Sequence, residues 1–187
     1  MSLSRRIWMS TAALAAAIVL VRPTLLAQRP EADEQAVKAA FLYNFTKFVT
    51  WPSSAFATPA SPFVVCAYAD PGFRKTLEAT LQGEEVRGHP IAVADADHDD
   101  ARTCHLLYFS MGQAERQLRI LPALRRAPVL SVGEGRQFLE QGGLVAFLLE
   151  NDRVRFAIDK RGADAAGLIL SSQLLRVARD FDGADSP

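Results

Sequence analysis

The chain has no surplus of either charge, since 21 Lys and Arg stand against 21 Asp and Glu in 187 residues. Without a basic excess nothing drives phosphate binding by counterion release, which sets general nucleic-acid binding aside. Cysteine and histidine are scarce, with two of the former and three of the latter. There is no paired-histidine zinc signature, Walker loop, G-x-G-x-x-G or G-x-S-x-G, so no catalytic residue is assigned and neither metal nor cofactor is signalled. The 11 glycines, 10 prolines and 49% apolar residues are those of an ordinary globular protein, which excludes collagen-like and wholly disordered chains. The length admits one domain with a core that needs no disulfide staples.

Long apolar runs are scarce too. The uncharged stretch over residues 7–21 falls short of the roughly 20 residues that a membrane helix requires. It follows Arg5 and Arg6 and precedes Ala27, the order of charged region, apolar region and small cleavage-site residue in a secretory signal peptide. Residues 1–27 are therefore expected to be a signal peptide and residues 28–187 the exported α/β domain. The stretch from Ser4 to Met9 has twin-arginine character, which leaves the export route open.

In the remaining chain, Val37, Phe41, Phe45 and Phe48 recur at helical spacing, which predicts a helix over residues 31–49 that ends before Pro52. Residues 63–69 read as a buried strand, turned by Asp70-Pro71-Gly72 into a helix that runs to about Leu81. Short strands follow at 91–94, 105–109 and 129–132, with helices at about 114–126 and 135–141. Residues 144–149 form a continuous apolar strand, and Asn151-Asp152 turns it into an alternating strand around Val154, Phe156 and Ile158. A last helix is expected over residues 163–178, with Gly167 inside it at a close backbone contact. The fold class is α/β: three layers, a mostly parallel twisted sheet of about six strands flanked by helices, the last strand antiparallel in a hairpin.

Three groups of residues carry potential chemistry. Asp95, Asp97, His98, Asp99 and Asp100 form an acidic loop whose spacing does not fit a calcium loop, and a solvated loop is its plain reading. His105 opens a buried strand and is expected to be a core histidine bonded to backbone. Cys66 and Cys104 fall on strands that are neighbours in a sheet of flavodoxin-like order. They can pair, with a stabilisation of roughly 2 to 4 kcal/mol, or remain two buried thiols. A bond could be structural, or a redox switch if strained and accessible. Open sheets place ligands at the carboxyl ends of strands, so Asp70, Gly72, Ser110, Gly133 and Gly135 are candidates for a small ligand or anion.

The run from Val37 to Pro52 resembles the opening helix of the YfiR family of periplasmic proteins. Cys104 to Ser110, Pro128 to Val132, Phe138 to Gly143, Arg155 to Asp159 and Ala166 to Leu175 continue the resemblance in order. It implies a periplasmic repressor, without enzymatic activity or cofactor. Such a repressor binds the sensor region of an inner-membrane diguanylate cyclase and holds cyclic-di-GMP and biofilm formation low. It also implies a homodimer and a response to envelope redox state. Cys66 and Cys104 match one cysteine pair of that pattern, whereas a second pair, expected around Leu149 to Phe156, is absent. Aromatic side chains carry much of the energy of interfaces, and Tyr43, Phe48 and Trp51 are the candidate partner contacts.

Overall fold

The computed structural model describes residues 29–95 and 101–181. The proposed signal peptide and the acidic positions 97–100 lie outside the described residues. A first helix, α1 (Arg29–Phe48), leads through β1 (Val49–Thr50) and one 3₁₀ turn (Ser53–Ala55) into β2 (Phe63–Tyr68) and α2 (Pro71–Leu81). Next come β3 (Glu85–Val86), β4 (His89–Asp95), β5 (Leu106–Phe109), α3 (Ala114–Leu124), β6 (Leu130–Glu134) and α4 (Arg136–Glu140). The chain ends with β7 (Val145–Glu150), β8 (Arg153–Ile158), α5 (Lys160–Ala165), β9 (Ile169–Leu170) and α6 (Ser172–Val177).

Seven strands form the main sheet in the order β3-β4-β2-β5-β6-β7-β8. Strands β4, β2, β5, β6 and β7 are parallel, while β3 and β8 run antiparallel at the two edges. The chain starts mid-sheet at β2, steps outward to β4 and then crosses to β5, so the strand order reverses between β2 and β5. This is the flavodoxin-like order, and it makes the strands bearing the cysteines neighbours.

Alternation along each strand builds two cores. On one face Phe63 and Val65 of β2, Leu106 and Tyr108 of β5, Val132 of β6 and Phe147 of β7 pack against α1, α2, α5 and α6. On the other, Cys66 and Tyr68, Leu107 and Phe109, and Ala146 meet α3 and α4 through Leu121, Leu124, Phe138 and Leu139. A sheet buried on both faces explains the near-continuous apolar strands. Phe138 fits because two glycines make room: a Cβ on Gly133 would lie 2.4 Å from its ring, and one on Gly143 2.1 Å.

The structure departs from the expected elements in three places. The buried face of α1 is Ala39, Leu42, Phe45 and Thr46, continued by Val49, whereas Val37 and Phe48 are 42% and 36% exposed. Phe41 and Phe45 are drawn against Phe156 of β8, at 5.4 and 5.1 Å between ring centroids, and this contact sets the helix phase. The expected helix over 163–178 is instead α5, β9 and α6. Gly167 takes φ 73°, and its amide and that of Leu168 bond to the Asp164 and Ala163 carbonyls at 3.0 Å. These two bonds form a Schellman stop that ends α5. Finally, β3 hairpins onto β4 through Arg87 and Gly88, both at positive φ, which adds an edge strand to the six expected.

Candidate functional site

Cys66 and Cys104 are joined in a disulfide with Cα atoms 5.9 Å apart. They are 2% and 5% exposed in the core beneath α3. The bond ties the middle of β2 to the segment that enters β5. His105, the next residue, is held from both ring nitrogens: the Val64 amide donates to Nδ1 at 2.9 Å, and Nε2 lies 3.1 Å from the Ala55 carbonyl. An imidazole that accepts at Nδ1 must be neutral and carry its proton on Nε2. Burial, with a smaller contribution from the charge of His89, holds its pKa below the ordinary histidine value. This is the backbone-bonded core histidine expected. Phe56 stacks between His105 and His89 at 4.5 and 3.9 Å, which docks the 3₁₀ turn onto the sheet.

At the opposite end, the carboxyl ends of the strands, the ligand candidates are engaged within the chain. Asp70 caps α2, its Oδ1 accepting from the Gly72 and Phe73 amides at 2.9 and 3.0 Å. The Ser110 amide donates to the Tyr68 carbonyl at 2.9 Å, and the Gly135 amide to the Phe147 carbonyl at 2.8 Å. Gly133 serves to admit the Phe138 ring. The amide donors at Gly72, Ser110 and Gly135 that an anion site here would have drawn on are thereby occupied.

What occupies this end is an ion-pair network that the sequence reading missed. Lys38 of α1 contacts Glu34 at 2.7 Å and Glu134 of β6 at 2.9 Å, and the Tyr108 hydroxyl donates to Glu134 at 2.5 Å. Burial raises the pKa of Glu134, and the bonds from Tyr108 and Lys38 oppose that rise. Burial raises Tyr108 as well, with the charge of Glu134 adding to it. For Lys38 burial works toward the neutral form, but its bonds and charge contacts with Glu34 and Glu134 outweigh this and the pKa is raised. Only the Glu34–Lys38 half was legible, as an i,i+4 pair. The tie to Glu134 arises from the packing of α1 across the sheet.

The three proposed contact residues separate. Trp51 is 7% exposed. Its indole N–H donates to the His105 carbonyl at 3.0 Å, and its ring meets Phe63 edge-on at 4.7 Å. It is an interior anchor, contrary to the expectation of a partner contact, because leaving α1 at Phe48 turns it under the sheet. Tyr43 is half-buried, its hydroxyl donating to Glu84 and its ring covered by the Lys47 ammonium at 4.2 Å from the centroid. Phe48 stays at the surface. The Ser171 amide donates to its carbonyl at 2.9 Å, so β9 and the start of α6 lie beside it. These elements carry two further exposed apolar side chains, Ile169 at 67% and Val177 at 64%.

Among the described residues, no group of three or more His, Cys, Asp or Glu is placed to hold a metal ion. No helix among them is long and apolar enough to cross a membrane. No curated protein matches the chain at a significant level. Residues 35–179 match the model of a family described as YfiR/HmsC-like.

Proposed function

Because the chain belongs to the YfiR/HmsC-like family, we propose that it is a periplasmic repressor, exported by residues 1–27. In this reading it binds the periplasmic sensor region of an inner-membrane diguanylate cyclase and holds cyclic-di-GMP output and biofilm formation down. It acts as a homodimer and by contact, not by turnover. The observation that carries this reading is the family match across nearly the whole described domain. The exposed apolar residues Phe48, Ile169 and Val177, with Tyr43 on the same helix as Phe48, are the surface we assign to the partner. Exposed large apolar and aromatic side chains are the first residues to test for a protein contact.

The disulfide has a different role in this reading. A bond whose two cysteines are 2% and 5% exposed gives a reductant no approach while the domain is closed, so we assign it to stability rather than to redox response.

Deletion of the gene in a strain that holds a partner cyclase is expected to raise cyclic-di-GMP. Complementation with the wild type should restore the low level. Phe48→Glu should fail to do so, although it accumulates and melts like the wild type. Unchanged cyclic-di-GMP in the deletion strain would defeat the proposal, and full repression by Phe48→Glu with Ile169→Glu would defeat the assigned surface.

A further inference from the structure

Residues 53–61 form a strap between β1 and β2 that other elements hold through side chains and not through strand pairing. Its own polar groups turn inward: the Ala55 and Phe56 amides donate to the Pro52 and Ser53 carbonyls, and Ser61 closes on Thr58. Among the described residues, two hydrogen bonds tie the strap to other elements, and both end on an imidazole. His105 meets the Ala55 carbonyl through Nε2 at 3.1 Å, and His89 meets the Ser61 carbonyl through Nδ1 at 2.7 Å. Phe56 is stacked between the same two rings. Of the strap's apolar side chains only Ala55 and Phe56 pack on the core, and residues 57–60 are exposed. Beneath it lies a cavity of about 370 Å³ whose lining includes Trp51, Phe56, Val86, Arg87 and His89.

The two imidazoles respond differently to acid. A carbonyl only accepts, so His89 carries its proton on Nδ1 and takes a second on Nε2 without giving up Ser61. His105 has no spare position. Its Nε2–H is spent on Ala55, and its Nδ1 accepts from the Val64 amide at 2.9 Å, so a second proton sets two donors against each other. The ring must then leave Val64, and in turning it leaves Ala55 as well. Charged neighbours do not offset this. The strap and β2 contain no charged side chain, Glu134 stands at the far end of β6, and Arg102 is turned onto the Ala123 carbonyl of α3 at 3.4 Å. From β4 comes His89, whose charge opposes protonation of His105 in the same sense as burial does.

We propose that the strap is an acid-operated latch: protonation of His105 releases Ala55 and Phe56, and the cavity over Trp51 and Val86 opens to solvent. Histidine is the side chain whose charge changes in the physiological range, and a bistable element beside it turns that change into movement. At neutral pH the latch is shut. In acid His89 keeps its hold on Ser61, so the opening is confined to residues 53–60. The proposal concerns the fold alone and stands whichever protein partner the domain has.

The test is hydrogen–deuterium exchange of the purified protein at pH 7.5 and 5, read as protection factors so that the pH dependence of free-amide exchange cancels. Protection of residues 53–64 is expected to fall at pH 5 at least tenfold further than that of β6 and β7. His105→Gln keeps an acceptor for Val64 and a donor for Ala55 but cannot titrate, and its strap should stay protected at both pH values. An NMR titration of the wild type gives a second reading that needs no variant: the Val64 and Phe56 amide signals should move with the midpoint of the His105 ring. A loss in the strap no larger than in β6 and β7, the same loss in folded His105→Gln, or an amide midpoint away from that of His105 would each overturn the proposal.

Discussion

Replacing both Cys66 and Cys104 by Ala cuts the tie between β2 and the entry to β5, and the loop it closes sets the size of the effect. The cysteines are 38 residues apart, for which the chain-entropy relation gives about 4 kcal/mol at 25 °C. The small voids left at two buried positions add to this loss. Against a typical net stability of roughly 5 to 15 kcal/mol, the variant should be strongly destabilised yet able to fold at low temperature. Urea unfolding followed by the fluorescence of Trp51, which is buried against Phe63, measures the difference. Wild type unfolded under reductant should reach nearly the same midpoint as the variant. Because both sulfurs lie in the core, reduction of the native protein by dithiothreitol is expected to run no faster than opening of the domain. A loss under about 1 kcal/mol, or reduction that outpaces unfolding, would refute the reasoning and return the bond to the class of accessible switches.

Gly143→Ala places a Cβ 2.1 Å from the Phe138 ring and should cost about 1 to 3 kcal/mol as an overpacked core. Phe138→Leu in the same chain should recover part of this in a double-mutant cycle, and strict additivity would contradict the sandwich. His105 predicts an acid-sensitive fold. Its folded pKa lies below the unfolded value of about 6.5, so the unfolded chain binds the extra proton between the two. That stabilisation is complete above about pH 6.5 and is lost as pH falls through the folded pKa. Urea midpoints at pH 7.5 and 5 should therefore diverge in the wild type and less so in His105→Gln, whereas equal slopes would remove His105 as the cause. Gly167→Ala forces a side chain into φ 73° and should lower the unfolding free energy by about 1 kcal/mol, read from the same urea titration.

The central sheet was legible because its strands are short apolar runs separated by helical segments, a pattern that favours a parallel sheet covered on both faces. The same order, a flavodoxin-like sheet, is enough to make the strands of Cys66 and Cys104 neighbours. The two-residue strands β1 and β9 are too short to show a period, and their pairing through Val49 with Leu170 is a tertiary event. The stop at Gly167 was hidden because Leu168, Leu174 and Leu175 continue a pattern that also fits a helix. Trp51 is as aromatic as an interface residue, and its burial against Phe63 and its bond to the His105 carbonyl are tertiary facts that its sequence neighbours do not announce. Lys38 and Glu134 have ordinary neighbours in sequence, and their meeting depends on where α1 crosses the sheet.

The position of α1 has a consequence for how the molecule comes into being. Phe41 and Phe45 near the start find their stacking partners in Phe147 and Phe156, and Val49 finds its strand partner at Leu170. A chain delivered from its amino end must hold its first helix uncovered until nearly all of the rest has arrived. Contacts of such long reach slow folding and leave sticky surface open in the interval. Its early life should therefore depend on holdase chaperones, and truncation within the last 30 or so residues should strip the first helix of its cover as well as removing the end of the chain.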